Sequence, residues 1–85
     1  KTVQFTLLNN LGQIFPMGSR VWNQDQLPTS ESKELTIVAR DGLVYLENPV
    51  SSNIYIENEG QYCQLKLLDL KDQFGFIDLG NQTCE

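Results

Sequence analysis

The feature that most restricts this chain is a two-residue period of apolar side chains. From Thr2 to Leu8, Val3, Phe5 and Leu7 alternate with Thr2, Gln4 and Thr6. Only an extended strand sends successive side chains to opposite sides, so this segment has one greasy face and one wet face. The same period recurs along the chain. It predicts strands over Lys1–Leu8, Ser19–Gln24, Leu35–Ala39, Leu43–Leu46, Asn53–Asn58, Tyr62–Leu68 and Phe74–Leu79. No segment has a helical period, and nothing repeats at a fixed longer interval.

Turn chemistry separates these runs. Asn9-Asn10-Leu11-Gly12, Asp41-Gly42 and Glu59-Gly60 place residues that tolerate positive φ between apolar runs. Phe15-Pro16-Met17-Gly18 and Asn48-Pro49 make further breaks. Asp25 to Glu34 holds Pro28, Thr29, Ser30 and Ser32 among mixed charges, and is expected to be a mobile surface loop. Six or seven short strands with turn signals every eight to twelve residues predict an all-β fold. The economical architecture is a small antiparallel β-sandwich, with a partly closed barrel as the alternative. The expected inward set is Val3, Phe5, Leu7, Val21, Ile37, Val44, Leu46, Ile54, Ile56, Leu65 and Leu67.

Length and charge narrow the function. Eighty-five residues support one domain, spanning 1–85. The chain does not begin with Met and carries no signal peptide, which suggests a mature chain or a domain cut from a longer one. Eleven acidic residues against six basic ones give a net charge of -5. Nucleic-acid binding needs clustered Lys and Arg, whereas here they are scattered. An anionic membrane surface is disfavoured for the same reason. No apolar run approaches the ~20 residues of a spanning helix.

The two cysteines, Cys63 and Cys84, leave two readings. They are buried free thiols, or they form a disulfide that pins the C-terminal segment to a strand. The disulfide is the expectation, because closing that loop stabilises a small domain by roughly 3 kcal/mol. It places the chain in an oxidising compartment, either the periplasm or the extracellular space.

The residues give no support for catalysis. The chain has no His, which removes the commonest general base and the commonest metal ligand. Two thiols alone do not complete a zinc site. The nearest carboxylate pairs, Glu57/Glu59 and Asp69/Asp72, sit at strand ends or loops and read as charged turn residues. No Gly-rich loop leads into a helix, and no calcium loop is present. Asn81-Gln82-Thr83 matches a glycosylation acceptor, a pattern common by chance. No enzyme, metal, cofactor or small-molecule substrate is expected.

What remains is a surplus of apolar side chains: Leu8, Trp22, Leu43, Tyr45, Tyr55, Tyr62, Leu68, Phe74 and Phe76 alternate away from the inward set. Most are expected to pack under loops. The rest would form an exposed patch of the kind that marks a protein interface. Trp22 and Tyr55 are the leading candidates, since amphipathic aromatics are enriched at interface hot spots.

The run Phe5-Thr6-Leu7-Leu8, then Gly12, then Phe15-Pro16-Met17-Gly18-Ser19-x-Val21, resembles the opening of the C-terminal domain of bacterial outer-membrane fimbrial ushers. Gly42-Leu43-Val44-Tyr45-Leu46 is similar to that family's Gly-x-Val-Tyr-Leu element, and Cys63 falls where it places a Cys on a late strand. The resemblance runs from Phe5 to Leu67 and looks closest to ushers of thin, capsule-like fibres. Met17 and Ser19 depart from the family's Phe and Ala. The resemblance implies a plug-like β-sandwich on the periplasmic side of the outer membrane, belonging to a chain whose main part is a membrane β-barrel. It implies chaperone–subunit complexes and other usher domains of the same chain as partners. Trp22, Tyr55, Leu43 and Phe74 would then form the docking patch. Two other readings stay open at this point: a fimbrial subunit or adhesin module, and a structural spacer sandwich of a surface protein.

Overall fold

The computed structural model describes residues 1–67 and 73–85. Leu68 and the Asp69/Asp72 pair lie outside the described residues. The described residues form seven strands: β1 (Thr2–Leu8), β2 (Arg20–Asn23), β3 (Thr36–Ile37), β4 (Leu43–Glu47), β5 (Asn53–Asn58), β6 (Gln61–Lys66) and β7 (Phe76–Thr83). They make two sheets, ordered β4-β1-β7 and β3-β2-β5-β6. The two sheets face each other across one core, giving the small β-sandwich expected from the alternation.

β1 is the central strand of the three-stranded sheet. It pairs antiparallel with β4, Phe5 opposite Val44 and Val3 opposite Leu46. On its other side it pairs with β7 in parallel, the one non-antiparallel ladder among the described residues. A parallel pair cannot be closed by a hairpin. It forms here because its partners come from the two ends of the chain, free to meet without a short connection. Between Gln4 and Thr6 the β1–β7 register slips, so that Leu79 and Gly80 together oppose Phe5. Gly80 takes φ +69° at this bulge, where a residue without Cβ fits the backbone best.

The core holds Val3, Phe5 and Leu7 from β1, Val44 and Leu46 from β4, and Val21, Ile54, Ile56 and Leu65 from the facing sheet, closed by Val38, Leu67 and Cys84. Each of the Val, Leu, Ile and Phe side chains among them contributes about 1.5–3 kcal/mol on full burial. The inward set read from alternation is buried except for Ile37, which is exposed, while its neighbour Val38 is fully buried. The register explains the exchange. Val21, on the core side, pairs with Thr36, and Arg20, on the outer side, pairs with Ile37. Thr36 and Val38 therefore face inward. The run Leu35 to Ala39 has apolar residues in both phases, and alternation alone could not choose between them.

The turns follow their residues. Glu59 (φ 53°) and Gly60 (φ 78°) form a two-residue hairpin that pairs Asn58 with Gln61. The Asn9 carboxamide oxygen accepts from the backbone N–H of Leu11 and of Gln13, both at 2.9 Å, which locks the turn after β1. Asp41 and Gly42 are also left-handed, but this turn joins strands of different sheets, so it makes a corner rather than a flat hairpin. Gly42 has a second reason to be glycine. A Cβ there would stand 2.9 Å from the Leu7 carbonyl oxygen and 2.9 Å from the Ile14 side chain.

The C-terminal segment closes the sandwich. Cys84 donates its N–H to the Leu8 carbonyl at 2.9 Å, and Glu85 donates to Gln64 at 2.9 Å. The same two residues thus bridge β1 of one sheet and β6 of the other. Cys63 and Cys84 form the expected disulfide, 21 residues apart in sequence. Reduction should lower the unfolding free energy by about 3 kcal/mol. Urea melts with and without reductant measure this directly; equal midpoints would show the bridge to be energetically idle.

Candidate functional site

The outer face of the four-stranded sheet carries three aromatic side chains, Trp22, Tyr55 and Tyr62, on adjacent strands. Arg20 stands opposite Glu57, and Trp22 opposite Tyr55. Glu57 in turn faces Tyr62, and Tyr55 faces Gln64. The Trp22 and Tyr62 rings lie 5.7 Å apart in a tilted arrangement. The Arg20 guanidinium sits 4.8 Å above the Trp22 ring, a favourable cation–π geometry. Arg20 also donates from Nε to Glu34 at 2.8 Å and from Nη1 to Glu57 at 3.5 Å. The hydrogen bond to Glu34 is the main reason the guanidinium pKa is raised above its ordinary value, with both carboxylates adding to it, so Arg20 keeps its charge.

This face is not open. Trp22 is 1% exposed and Tyr55 8%, although neither belongs to the central core. The expectation that they form an exposed patch is therefore corrected. The segment between β2 and β3, expected to be a mobile loop, folds back over them as a strap. The Asp25 carbonyl accepts from the Tyr55 hydroxyl at 3.4 Å and from Asn53 Nδ2 at 3.2 Å, and the Asp25 carboxylate accepts from Ser51 Oγ at 2.6 Å. Pro28 is buried, whereas the rest of the strap from Asp25 to Glu34 is largely exposed. At the far end Arg20 holds Glu34, and Leu35 donates its N–H to Val21 at 2.8 Å. One polar atom under the strap is left over: the Trp22 indole Nε1 is buried with no hydrogen-bond partner.

The other two expected site residues lie elsewhere. Leu43 is half-buried and shares the outer face of the three-stranded sheet with Thr6, its register partner. That is the opposite side of the sandwich from Trp22 and Tyr55. Phe74 is 87% exposed and precedes β7, with exposed Phe76 following it. The four residues do not form one surface.

The exposed apolar surface that does assemble involves residues outside that set. Leu35 and Ile37, flanking and within β3, and Tyr45 of β4 are each about half exposed. β3 and β4 are edge strands of the two sheets. A groove of about 310 Å³ runs between them, lined by Leu35, Thr36, Tyr45 and Glu47. The outward phase of β3 is the signal that would have revealed it, had that phase been readable. A second shallow groove, of about 290 Å³, lies between the turn after β1 (Asn9, Phe15, Pro16) and the β5–β6 hairpin (Asn58 to Cys63).

The carboxylate pairs read as turn residues in sequence keep that character where they are described. Glu57 binds Arg20 and also accepts from the Gly60 N–H at 3.4 Å, and Glu59 sits in the hairpin turn itself. Trp22→Ala should lower the stability of the fold by about 3–5 kcal/mol, because the ring is packed out of solvent. Chemical denaturation tests this; a loss below ~1 kcal/mol would mean that the ring is not packed as described.

No family model matches the chain. No curated protein matches it either. Solved structures do. The C-terminal domain of the Caf1A usher, a domain whose conserved hydrophobic surface clusters are important for F1 antigen assembly, aligns with TM-score 0.68 at 21% identity, covering 99% of this chain and 96% of that one. The C-terminal domain of the PapC usher aligns with TM-score 0.63 at 19% identity, covering 99% and 95%. Over its whole length, the chain has the fold of these usher C-terminal domains.

Proposed function

We propose that the chain is the C-terminal domain of an outer-membrane usher in a chaperone–usher pathway. In this reading it stands on the periplasmic side, beside the other domains of its own chain. It docks chaperone–subunit complexes during fibre assembly and does so without covalent chemistry. The observation that carries the reading is the exposed apolar strip along the β3–β4 edge, on a fold shared end to end with two usher domains. Conserved hydrophobic clusters on the surface of the Caf1A domain are important for F1 antigen assembly. In this chain Leu35, Ile37 and Tyr45 are the residues in position for that role, with Leu43 sharing the outer face of β4 with Tyr45. Phe74, with Phe76, offers a separate contact at the opposite edge.

The physics suits a hand-over step. A contact that must later release needs only micromolar strength, about 8 kcal/mol. Two or three apolar anchors in a groove can supply it. The alternatives fit less well. β1 is already flanked on both sides by β4 and β7, so the sandwich is complete without a donated strand, unlike a subunit awaiting one. A pure spacer has no use for half-exposed Leu35, Ile37 and Tyr45.

The test is a Leu35→Ala/Tyr45→Ala double variant titrated with purified chaperone–subunit complex. Affinity should fall about tenfold or more, with the thermal midpoint little changed. Unchanged affinity in a folded variant would remove this strip from the interface. No binding by the wild-type domain would remove the reading itself.

A further inference from the structure

The strap from Asp25 to Glu34 is fastened in an unusual way. It lies over an aromatic pair that is otherwise the most apolar part of its sheet face, Trp22 and Tyr55. Yet Pro28 is its one buried residue; its remaining side chains, Leu27 among them, stay largely in solvent. What holds it is polar and peripheral: the Asp25 cluster at one end and, at the other, the Arg20–Glu34 ion pair beside the Leu35 N–H bond to Val21, where the strap runs into β3. Both partners of that ion pair are more than a third exposed, so its contribution is small and sensitive to salt. Beneath the strap, the Trp22 indole N–H has no acceptor, which is a cost to the closed state. Central strands are held by hydrogen-bonded ladders and a dry core; the strap has neither.

We infer that the strap is a latch-held cover that opens while both sheets stay folded, presenting Trp22 and Tyr55 as a concealed docking surface. Opening frees the indole N–H to find an acceptor and leaves the β-sandwich core untouched. The uncovered pair then lies on the same sheet face as Leu35 and Ile37, so the apolar strip widens from the β3 edge across β2 and β5. Segments with few buried apolar contacts open locally at far lower free energy than the global unfolding that exposes a core. A chaperone–subunit complex that binds only the open form would shift this equilibrium rather than create it. That last consequence rests on the proposed docking role; the opening itself does not.

Trp22 is the single tryptophan of the chain, so its indole proton is a unique reporter. With no hydrogen bond to break, its exchange with solvent requires only that the cover lift. Proton exchange is followed by NMR for the Trp22 indole and for the backbone amides of Val3, Phe5, Val44 and Ile56. The inference predicts indole exchange much faster than the slowest of these core amides. It predicts a further two- to fivefold acceleration in Glu34→Gln, matching the loss of one exposed ion pair. Raising NaCl from 0.05 to 0.5 M should accelerate the wild type and leave Glu34→Gln nearly unchanged. An indole proton as slow as the core amides would overturn the opening. A rate unmoved by both Glu34→Gln and salt would overturn the latch. With chaperone–subunit complex added, Glu34→Gln should bind severalfold tighter. If the wild type binds and Glu34→Gln binds no better, the strap does not gate the surface. If neither binds, the docking role fails while the exchange result stands.

Discussion

Everything else in the fold depends on β1 being hydrogen-bonded on both sides. Its inward side chains, Val3, Phe5 and Leu7, are wholly buried, and its backbone is paired with β4 on one side and β7 on the other. β7 reaches it from the far end of the chain and has no short loop to hold its register. The tail beyond β7 supplies the constraint instead: Cys84 bonds to the backbone of β1 and is bridged to β6, and Glu85 bonds to β6. The disulfide therefore joins the two sheets at the point where the three-stranded one is completed. A core this small has little stability to spare, and cross-linking its last strand is a direct way to keep it closed.

That closure decides where the molecule has apolar surface to offer. The β7 side is tied to β6 by the tail, whereas on the other side the edge strands β3 and β4 are joined by the Asp41–Gly42 corner. β3 is two residues long and β4 is five, so neither presents a long template for uncontrolled strand pairing. Between them, Leu35 and Tyr45 remain half in water around a shallow groove, with half-exposed Ile37 on the outer side of β3. Across the adjoining sheet face the aromatic residues are withheld by the strap. The exterior thus divides into a strip that is always available and a face that is covered, with Arg20 at the boundary between them.

Much of this architecture was legible in the residues. The alternation in Thr2–Leu8 and Asn53–Asn58 named the right inward side chains because each run has a single apolar phase. Glu59-Gly60 made its turn because the backbone there needs two positive φ values. Cys63 and Cys84 paired as the small-scaffold argument expected. The failures have physical causes too. Leu35 to Ala39 is apolar in both phases, and a one-residue choice moved Ile37 outward and Val38 inward. Trp22 and Tyr55 did alternate away from the core, but a period says nothing about what a polar loop folds back upon. The Asp25–Glu34 segment looked mobile by composition, and nothing in that composition marked Pro28 as buried. Leu43 and Trp22 landed on opposite sides of the sandwich because sheet membership is decided by long-range pairing, which no local pattern carries.

The proposed docking of another protein along the β3–β4 edge is open to direct measurement. Backbone chemical shifts of the isotope-labelled domain, followed as unlabelled chaperone–subunit complex is added, locate the contact without altering a residue. The largest changes should fall on Leu35–Val38 and Leu43–Glu47. Changes confined to the β6–β7 side and the tail, with the β3–β4 edge silent, would contradict it.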